Sequence, residues 1–279
     1  MKQTVVLIGY PLGHSISPVF QQAAFDKMGL DIRYELWETP PEKLSDVVND
    51  IRSSDKSGAN VTVPYKENVI PMLDELNEVA AGIGAVNTIV KKDEKLVGYN
   101  TDAEGFIRAL EVEGKFDPDG KTVTMIGAGG VARAIGFALI QSGIKSLELF
   151  DIDMARAEKL AAELGAADVR VLSSNEGSQF ESAVSGADLL INCTPIGMKH
   201  SPSENVSPVA QELISVNSLV YDVVYNPVKT RLLQLAEEKG ARTLGGLSML
   251  VYQGVASFEL WTEKMAPVDI MMDKAVNAL

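Results

Sequence analysis

A run of β-prone residues that ends in glycines and passes straight into a helical pattern restricts this chain more than any other feature. Thr122-Val-Thr-Met-Ile is followed by Gly127-Ala128-Gly129-Gly130-Val131-Ala132-Arg133. In that setting the G-x-G-x-x-A spacing has a physical meaning. Gly127 permits a tight turn, Gly129 lets main chain approach a pyrophosphate, and the small Ala132 keeps helix and strand close. The helix expected over 131–141 would offer unpaired N–H groups and a positive dipole end to phosphates. Gly127, Ala128, Gly129, Gly130 and Val131 are therefore candidate cofactor residues.

The next expected strand, 147–150, runs into Asp151 at about the distance where such folds place a ribose-binding carboxylate. A carboxylate there hydrogen-bonds the adenosine ribose and repels a 2′-phosphate. Ile152 offers a phosphate nothing, whereas Arg156, one helical turn on, is the candidate cofactor residue that could serve one. The expectation is NAD as cofactor, with NADP as the alternative.

The chain has 279 residues, more than one core of ~100–150 residues accommodates. Short β-branched runs at 5–8, 33–36, 59–62, 88–90 and 96–99 alternate with helical patterns at 18–27, 41–52 and around 74–81. Such alternation implies parallel strands with crossover helices. The loop Glu113-Gly-Lys-Phe-Asp-Pro-Asp-Gly-Lys121 announces a second series, with strands at 123–126, 147–150, 169–171, 189–192 and 219–222. Helices are expected after the first, second and last of these. The last ~35 residues, with Met249, Tyr252, Val255, Ala256 and Leu260 at helical spacing, read as helices. The fold class is α/β. An N-terminal α/β domain (1–103 with 245–279) would accompany a doubly wound, Rossmann-type nucleotide domain (104–244), with a cleft between them.

Bulk properties narrow the function. The net charge of −13 argues against nucleic acid, which calls for a basic face. It also means that an anionic ligand must be met by local donors. One cysteine, Cys193, and two histidines, His14 and His200, leave no disulfide and no metal site. No apolar run approaches the ~20 residues that cross a bilayer. The N-terminus reads as a first strand rather than a signal peptide. A cytoplasmic enzyme is expected, with no membrane partner, as a monomer or homodimer.

Two motifs mislead. Gly120-Lys121-Thr122 resembles the end of a P-loop but precedes the strand. Tyr225-Asn-Pro227-Val-Lys229 has Tyr-x-x-x-Lys spacing, yet Pro227 would break the helix that pairing needs.

Polar clusters gather where strands should give way to loops: Gly13-His14-Ser15-Ile-Ser17-Pro18, Asn60-Val-Thr62-Val-Pro64-Tyr-Lys66, Gly84-Ala-Val-Asn87-Thr88, and Gly98-Tyr-Asn100-Thr101-Asp102. Taken singly, Ser15 and Ser17 suit a helix cap, Asn87 a turn, Lys66 a solvated surface and Asp102 an N-cap. Together and in this order they resemble the shikimate dehydrogenase family. The resemblance extends through GAGGVAR, NCTPIGM, YDVVYNP, GGLSMLVYQG and FELWT, over essentially the whole chain.

That resemblance implies an NAD(P)-dependent alcohol dehydrogenase interconverting shikimate and 3-dehydroshikimate in aromatic amino acid biosynthesis. It implies Lys66 as acid/base paired with Asp102. Ser15, Ser17, Thr62 and Tyr225 would receive the substrate carboxylate, and Asn87, Asp102 and Gln253 the ring hydroxyls. Val223 and Gly246 would contact the nicotinamide end, with Glu78 a weaker candidate on the cofactor side. Chemically, oxidising a secondary alcohol requires a proton acceptor, and a buried lysine serves. Desolvation lowers a lysine pKa and a neighbouring carboxylate raises it, and the sequence leaves the balance open.

Gln21-Gln22 stand where the family commonly has His-Asn, so the pocket edge is expected to differ. Cys193 replaces a small alanine, and Glu263 follows Trp-Thr where glycine is usual. The acidic ending at Asp151 is similar to that of the NAD-using quinate/shikimate branch, which keeps quinate open as a substrate. A non-catalytic NAD-binding sensor and a methylene-tetrahydrofolate dehydrogenase are the readings from other classes, and the Lys66/Asp102 pair and the small anionic pocket weigh against them.

Overall fold

A computed structural model describes residues 2–13, 15–166, 168–172 and 177–279. His14 therefore lies outside the described residues. The chain divides into two compact units, Met1–Gly105 with Val251–Leu279, and Phe106–Leu250.

The first unit carries β1 (Gln3–Gly9), α1 (Ser17–Lys27), β2 (Ile32–Glu38), α2 (Leu44–Asp50), β3 (Lys56–Val61), β4 (Glu75–Leu76), α3 (Glu78–Ile83), β5 (Thr88–Lys92) and β6 (Lys95–Tyr99). It also holds the start of α4 (Asp102–Val112), most of α9 (Leu247–Thr262) and α10 (Val268–Val276). Its sheet has the order β2-β1-β3-β5-β6-β4. The β1, β2 and β3 strands are parallel, as their helical connections require. The other half corrects the expectation of an all-parallel sheet: β5 is antiparallel to β3 and to β6. Only Asp93 and Glu94 separate β5 from β6, too short a link for a crossover, and Asp93 turns the chain at φ +54°.

Two expected helices are shorter than their patterns. Residues 41–43 form a single 3₁₀ turn before α2, which stops at Asp50. The pattern around 74–81 splits into β4 and α3, because the Asn77 side chain accepts the Ala80 N–H (2.9 Å) and starts the helix there. Val6, Ile8, Val48, Ile51, Ala59, Val61, Val86, Ile89 and Leu96 form the core between sheet and helices. On the opposite side, Phe25 of α1 stacks on Phe258 of α9 at 5.1 Å.

The second unit holds β7 (Thr122–Ile126), α5 (Gly130–Gln141), β8 (Ser146–Phe150), α6 (Met154–Leu164), β9 (Val169–Val171), α7 (Gly177–Gly186), β10 (Leu189–Asn192), β11 (Leu219–Asp222), α8 (Arg231–Lys239) and β12 (Arg242–Gly245). The order β12-β11-β10-β7-β8-β9 is parallel throughout. This is the doubly wound arrangement, with its reversal of strand order between β7 and β10. Both β10 and β11 are buried along their whole length, which explains their unbroken apolar runs. Sequence patterning missed α7, whose Gly and Ser content disguises it, and β12, which is short and begins on an arginine. The Tyr225–Lys229 stretch is loop, not helix.

Candidate active site

In the first unit, parallel pairing of β1 with β3 brings two loops to one edge of the sheet, at the strands' carboxyl ends. Gly9, the last residue of β1, has little room for a side chain: a Cβ there would meet the Thr62 methyl at 2.5 Å. Thr62 donates its N–H to Ile8 O (2.8 Å), locking the loop that follows β3 to β1. Ser17 opens α1 and Ser15 lies just before it, its hydroxyl accepting the Ser17 N–H (3.3 Å). The N-cap position itself is Ile16, without a side-chain cap. The simple capping role available to these serines thus goes largely unused.

Lys66 is anchored by its main chain, whose carbonyl accepts the Val86 N–H (2.7 Å). Its ammonium reaches Asp102 Oδ2 at 2.5 Å, with the two side chains 24% and 11% exposed. Thirty-six residues apart in sequence, the two groups meet. Asp102 is the first residue of α4, where the helix dipole favours its negative charge. Its other oxygen, Oδ1, accepts from Asn87 Nδ2 at 2.9 Å.

Asn87 is 2% exposed and no ordinary turn residue. Its Oδ1 accepts the Thr101 N–H (2.8 Å), and its Nδ2 also lies 3.4 Å from Gln253 Oε1 on α9. Lys66, Asp102, Asn87 and Gln253 therefore form one connected group of ionic and hydrogen-bonding side chains. Glu78 lies exposed on the first turn of α3. Gln21 and Gln22 act as clips on α1. Gln21 donates to Gly254 O of α9 (2.9 Å), and Gln22 bonds both Ile32 O and the Tyr34 N–H of β2.

In the second unit the glycine loop leaves β7 at the switch point. Gly127 has φ +100°, and a Cβ on it would lie 2.9 Å from the Cys193 main-chain carbon after β10. Gly129 is different: a Cβ there would meet no protein atom within 4 Å. Gly129 is the N-cap of α5, without a side-chain cap, whereas Asp153 caps α6 and Thr230 caps α8. An uncapped N-terminus beside open space suits a bound pyrophosphate. Ala128, Gly130 and Val131 complete this loop and first turn, and the Ala128 N–H goes to Asp151 Oδ2 (2.8 Å).

Asp151 is 6% exposed, and its Oδ1 accepts the Asp153 N–H (2.9 Å). Its carboxylate braces the glycine loop as well as standing at the end of β8. Arg156 lies 3.9 Å from Asp151 and 3.5 Å from Asp153, while Ile152 is 90% exposed.

After β11 the chain passes Val223, Val224 and Tyr225. Val223 donates its N–H to Asn192 O (3.0 Å), and a Cβ on Gly246 would fall 2.0 Å from Val223 O, so Gly246 is held against that loop. Desolvation raises the pKa of the half-buried Tyr225 phenol, which keeps it a hydrogen-bond donor.

Asp222, at the end of β11, is a group the sequence reading passed over. It is fully buried and accepts from Thr230 Oγ1 (2.5 Å), Asn192 Nδ2 (2.9 Å) and the Val224 N–H (3.1 Å). Burial pushes its pKa up to about 6 against those three donors. An acid closing an all-apolar strand is the signal that marks it. Cys193 behaves as a small apolar residue, its thiol pKa raised by desolvation and by nearby Asp222.

Among the described residues no three His, Cys, Asp or Glu groups gather for a metal, and no helix is long and apolar enough to cross a membrane.

Known proteins resemble this chain in sequence and fold. The model of the shikimate dehydrogenase substrate binding domain matches residues 7–89, and that of the shikimate 5′-dehydrogenase C-terminal domain matches residues 246–275. The NADP(+) shikimate dehydrogenase of Methanopyrus kandleri is 42% identical over 99% of this chain and 95% of its own. Shikimate 5-dehydrogenase from Listeria monocytogenes, solved with shikimate and NAD, superposes with a TM-score of 0.91 at 37% identity, covering 98% of this chain and 96% of that one. Quinate dehydrogenase from Corynebacterium glutamicum, solved with NAD, gives 0.91 at 31% identity over 99% of both chains. Sequence identity of this order along almost the full length, with the same two-unit α/β plan, places the chain in the shikimate dehydrogenase family.

Proposed function

We propose that this protein is a shikimate dehydrogenase that interconverts shikimate and 3-dehydroshikimate, a step of aromatic amino acid biosynthesis, with Lys66 and Asp102 as its acid–base pair. The observation that carries the reading is the 2.5 Å approach of Lys66 Nζ to Asp102 beside Asn87. A nicotinamide, when bound, supplies the two-electron redox partner for the ring carbon. In reduction the Lys66 ammonium, with one N–H held by Asp102, donates a proton to the nascent ring alkoxide. In oxidation the neutral amine takes the hydroxyl proton back. Asn87, Asp102 and Gln253 orient the ring hydroxyls. The Ser15, Ser17 and Thr62 hydroxyls and the Tyr225 phenol receive the carboxylate, a donor set that binds an anion in a chain of net charge −13.

NAD is the cofactor we propose, held by Gly127, Ala128, Gly129, Gly130 and Val131 at the pyrophosphate and by Val223 and Gly246 at the nicotinamide. Asp151 and Asp153 occupy Arg156 and would repel a 2′-phosphate, and the exposed Ile152 carries no donor. The likeness to an NAD-bound quinate dehydrogenase supports a second reading, in which quinate is also a substrate, since one added hydroxyl is weakly discriminated in a tolerant pocket.

Steady-state kcat/KM for shikimate and quinate, each with NAD⁺ and NADP⁺, tests all of this. Shikimate with NAD⁺ is expected to give the highest value. A clear NADP⁺ preference would overturn the cofactor assignment, and turnover of neither ring would overturn the function.

A further inference from the structure

Beneath the Lys66–Asp102 pair lies a second polar layer, sealed from solvent. Ser257 of α9, Thr88, Thr101, Asn60 and Asn87 are each 5% exposed or less. Buried polar groups of this kind are costly unless each is satisfied, and here they satisfy one another. Ser257 Oγ lies 2.8 Å from Thr88 Oγ1, 3.1 Å from Thr101 Oγ1 and 3.1 Å from Asn60 Nδ2, and donates to Gln253 O (2.9 Å) one turn back on its helix.

A count of hydrogens gives this layer a direction. Each hydroxyl has one proton. Ser257 gives its own to Gln253 O, so its oxygen serves the rest of the layer as an acceptor. Asn87 Nδ2 donates to Thr101 Oγ1 (2.9 Å), whose own proton has two acceptors in reach, Ser257 Oγ (3.1 Å) and Asn87 Oδ1 (3.2 Å). Asn60 Nδ2 donates to Thr88 Oγ1 (3.1 Å), which in turn donates to Asn87 Oδ1 (3.0 Å). Asn60 is itself oriented by the Tyr34 hydroxyl, which donates to Asn60 Oδ1 (2.7 Å). The Asn87 oxygen thus takes the Thr101 N–H (2.8 Å) together with the Thr88 hydroxyl, and its Nδ2 donates to Asp102 as well as to Thr101 Oγ1. Reversal of that amide would set its oxygen against a carboxylate.

We propose that Ser257 is a positioning residue for the reaction. It touches neither Lys66 nor Asp102, but its oxygen lies within hydrogen-bonding distance of the Thr88 and Thr101 hydroxyls and the Asn60 amide that pack against Asn87, and it ties Gln253 to the same layer. This rests on the reading of Lys66 and Asp102 as the acid–base pair. The serine stands one helical turn from Gln253 on an otherwise apolar helix face, a spacing that marks it in the sequence.

The test compares Ser257→Ala and Ser257→Cys with the wild type, measuring kcat, KM for shikimate, the pH profile of kcat, Tm and the Kd for NAD⁺. The cysteine keeps the side-chain volume but is a poor hydrogen-bond partner, so it separates packing from hydrogen bonding and should fold even if the alanine does not. Both variants are expected to lose about tenfold in kcat, raise KM for shikimate severalfold and displace the pH profile, since small misplacements of reacting groups cost up to ~100-fold. The Kd for NAD⁺ should not change.

A wild-type KM and pH profile in the variants, with kcat falling only as the folded fraction falls, would overturn the proposal. So would a fully active Ser257→Cys. Failure of the underlying acid–base reading shows itself separately, as full kcat in Lys66→Ala.

Discussion

In the unit formed by residues 1–105 and 251–279, the site consists of side chains. An ammonium, a carboxylate and amides from segments far apart in sequence meet at hydrogen-bonding distance. In the unit formed by residues 106–250, the corresponding region is defined by side chains that are missing. Gly127 passes where a Cβ would strike the chain after β10, and Gly129 leaves space with no protein atom in it. The first region suits the acid–base chemistry proposed for it, which needs titratable groups in a fixed geometry. The second suits the phosphate proposed for it, held by main-chain N–H groups, which needs bare backbone at a helix start. Damage to the two regions should therefore appear in different kinetic constants.

The largest effect is expected from Lys66→Ala. Removing a general acid–base group costs 10²–10⁴-fold, and kcat should fall by about 10³-fold while shikimate still binds, as calorimetric titration would check. A kcat near that of the wild type would end the proposed mechanism.

Gly129→Ala probes the other region. The backbone at Gly129 is extended (φ −79°), so alanine fits it without strain, and its methyl enters the open space. Tm should stay within a degree or so, while KM for NAD⁺ rises about tenfold, because the new methyl stands where main chain approaches the pyrophosphate. An unchanged KM for NAD⁺ would show that the space is not the phosphate site. Changes in KM for shikimate would blur the contrast between the two units.

The smallest effect concerns stability alone. Glu263, just after α9, has φ +54°, a left-handed conformation that costs a non-glycine residue roughly 1 kcal/mol. Glycine removes that strain but adds freedom to the unfolded chain. Glu263→Gly should therefore raise stability by only about 0.5 kcal/mol, measured by denaturant unfolding, with kcat and both KM values untouched. A loss of stability would mean that the glutamate makes compensating contacts.

Much of this was legible in the chain. The glycine loop was readable because its requirements are local: a buried strand, a left-handed turn and a helix start all fall within about a dozen residues. The proposed acid–base pair is nameable only through the resemblance of ordered motifs, since nothing local to Lys66 distinguishes it from a surface lysine. The antiparallel half of the first sheet was misread because β5 and β6 are as β-branched as their parallel neighbours, and strand direction is set by the length of the connection. Asp151 reads in the sequence as a ligand for ribose, and the fold gives it the Ala128 N–H of the loop it braces and the Asp153 N–H of its own turn.

The sequence by itself determined the α/β alternation, the nucleotide loop and the set of polar residues available for chemistry, because periodicity, glycine placement and residue type act over a few neighbouring positions. Tertiary structure decided which of those polar residues meet. Lys66 finds Asp102, Asn87 finds Thr101, and Ser257 closes the layer beneath them, because parallel β1 and β3, the β5–β6 hairpin and α9 bring their ends to one place. Hydrogen bonds and ion pairs act over about 3 Å, a distance that only the folded chain supplies.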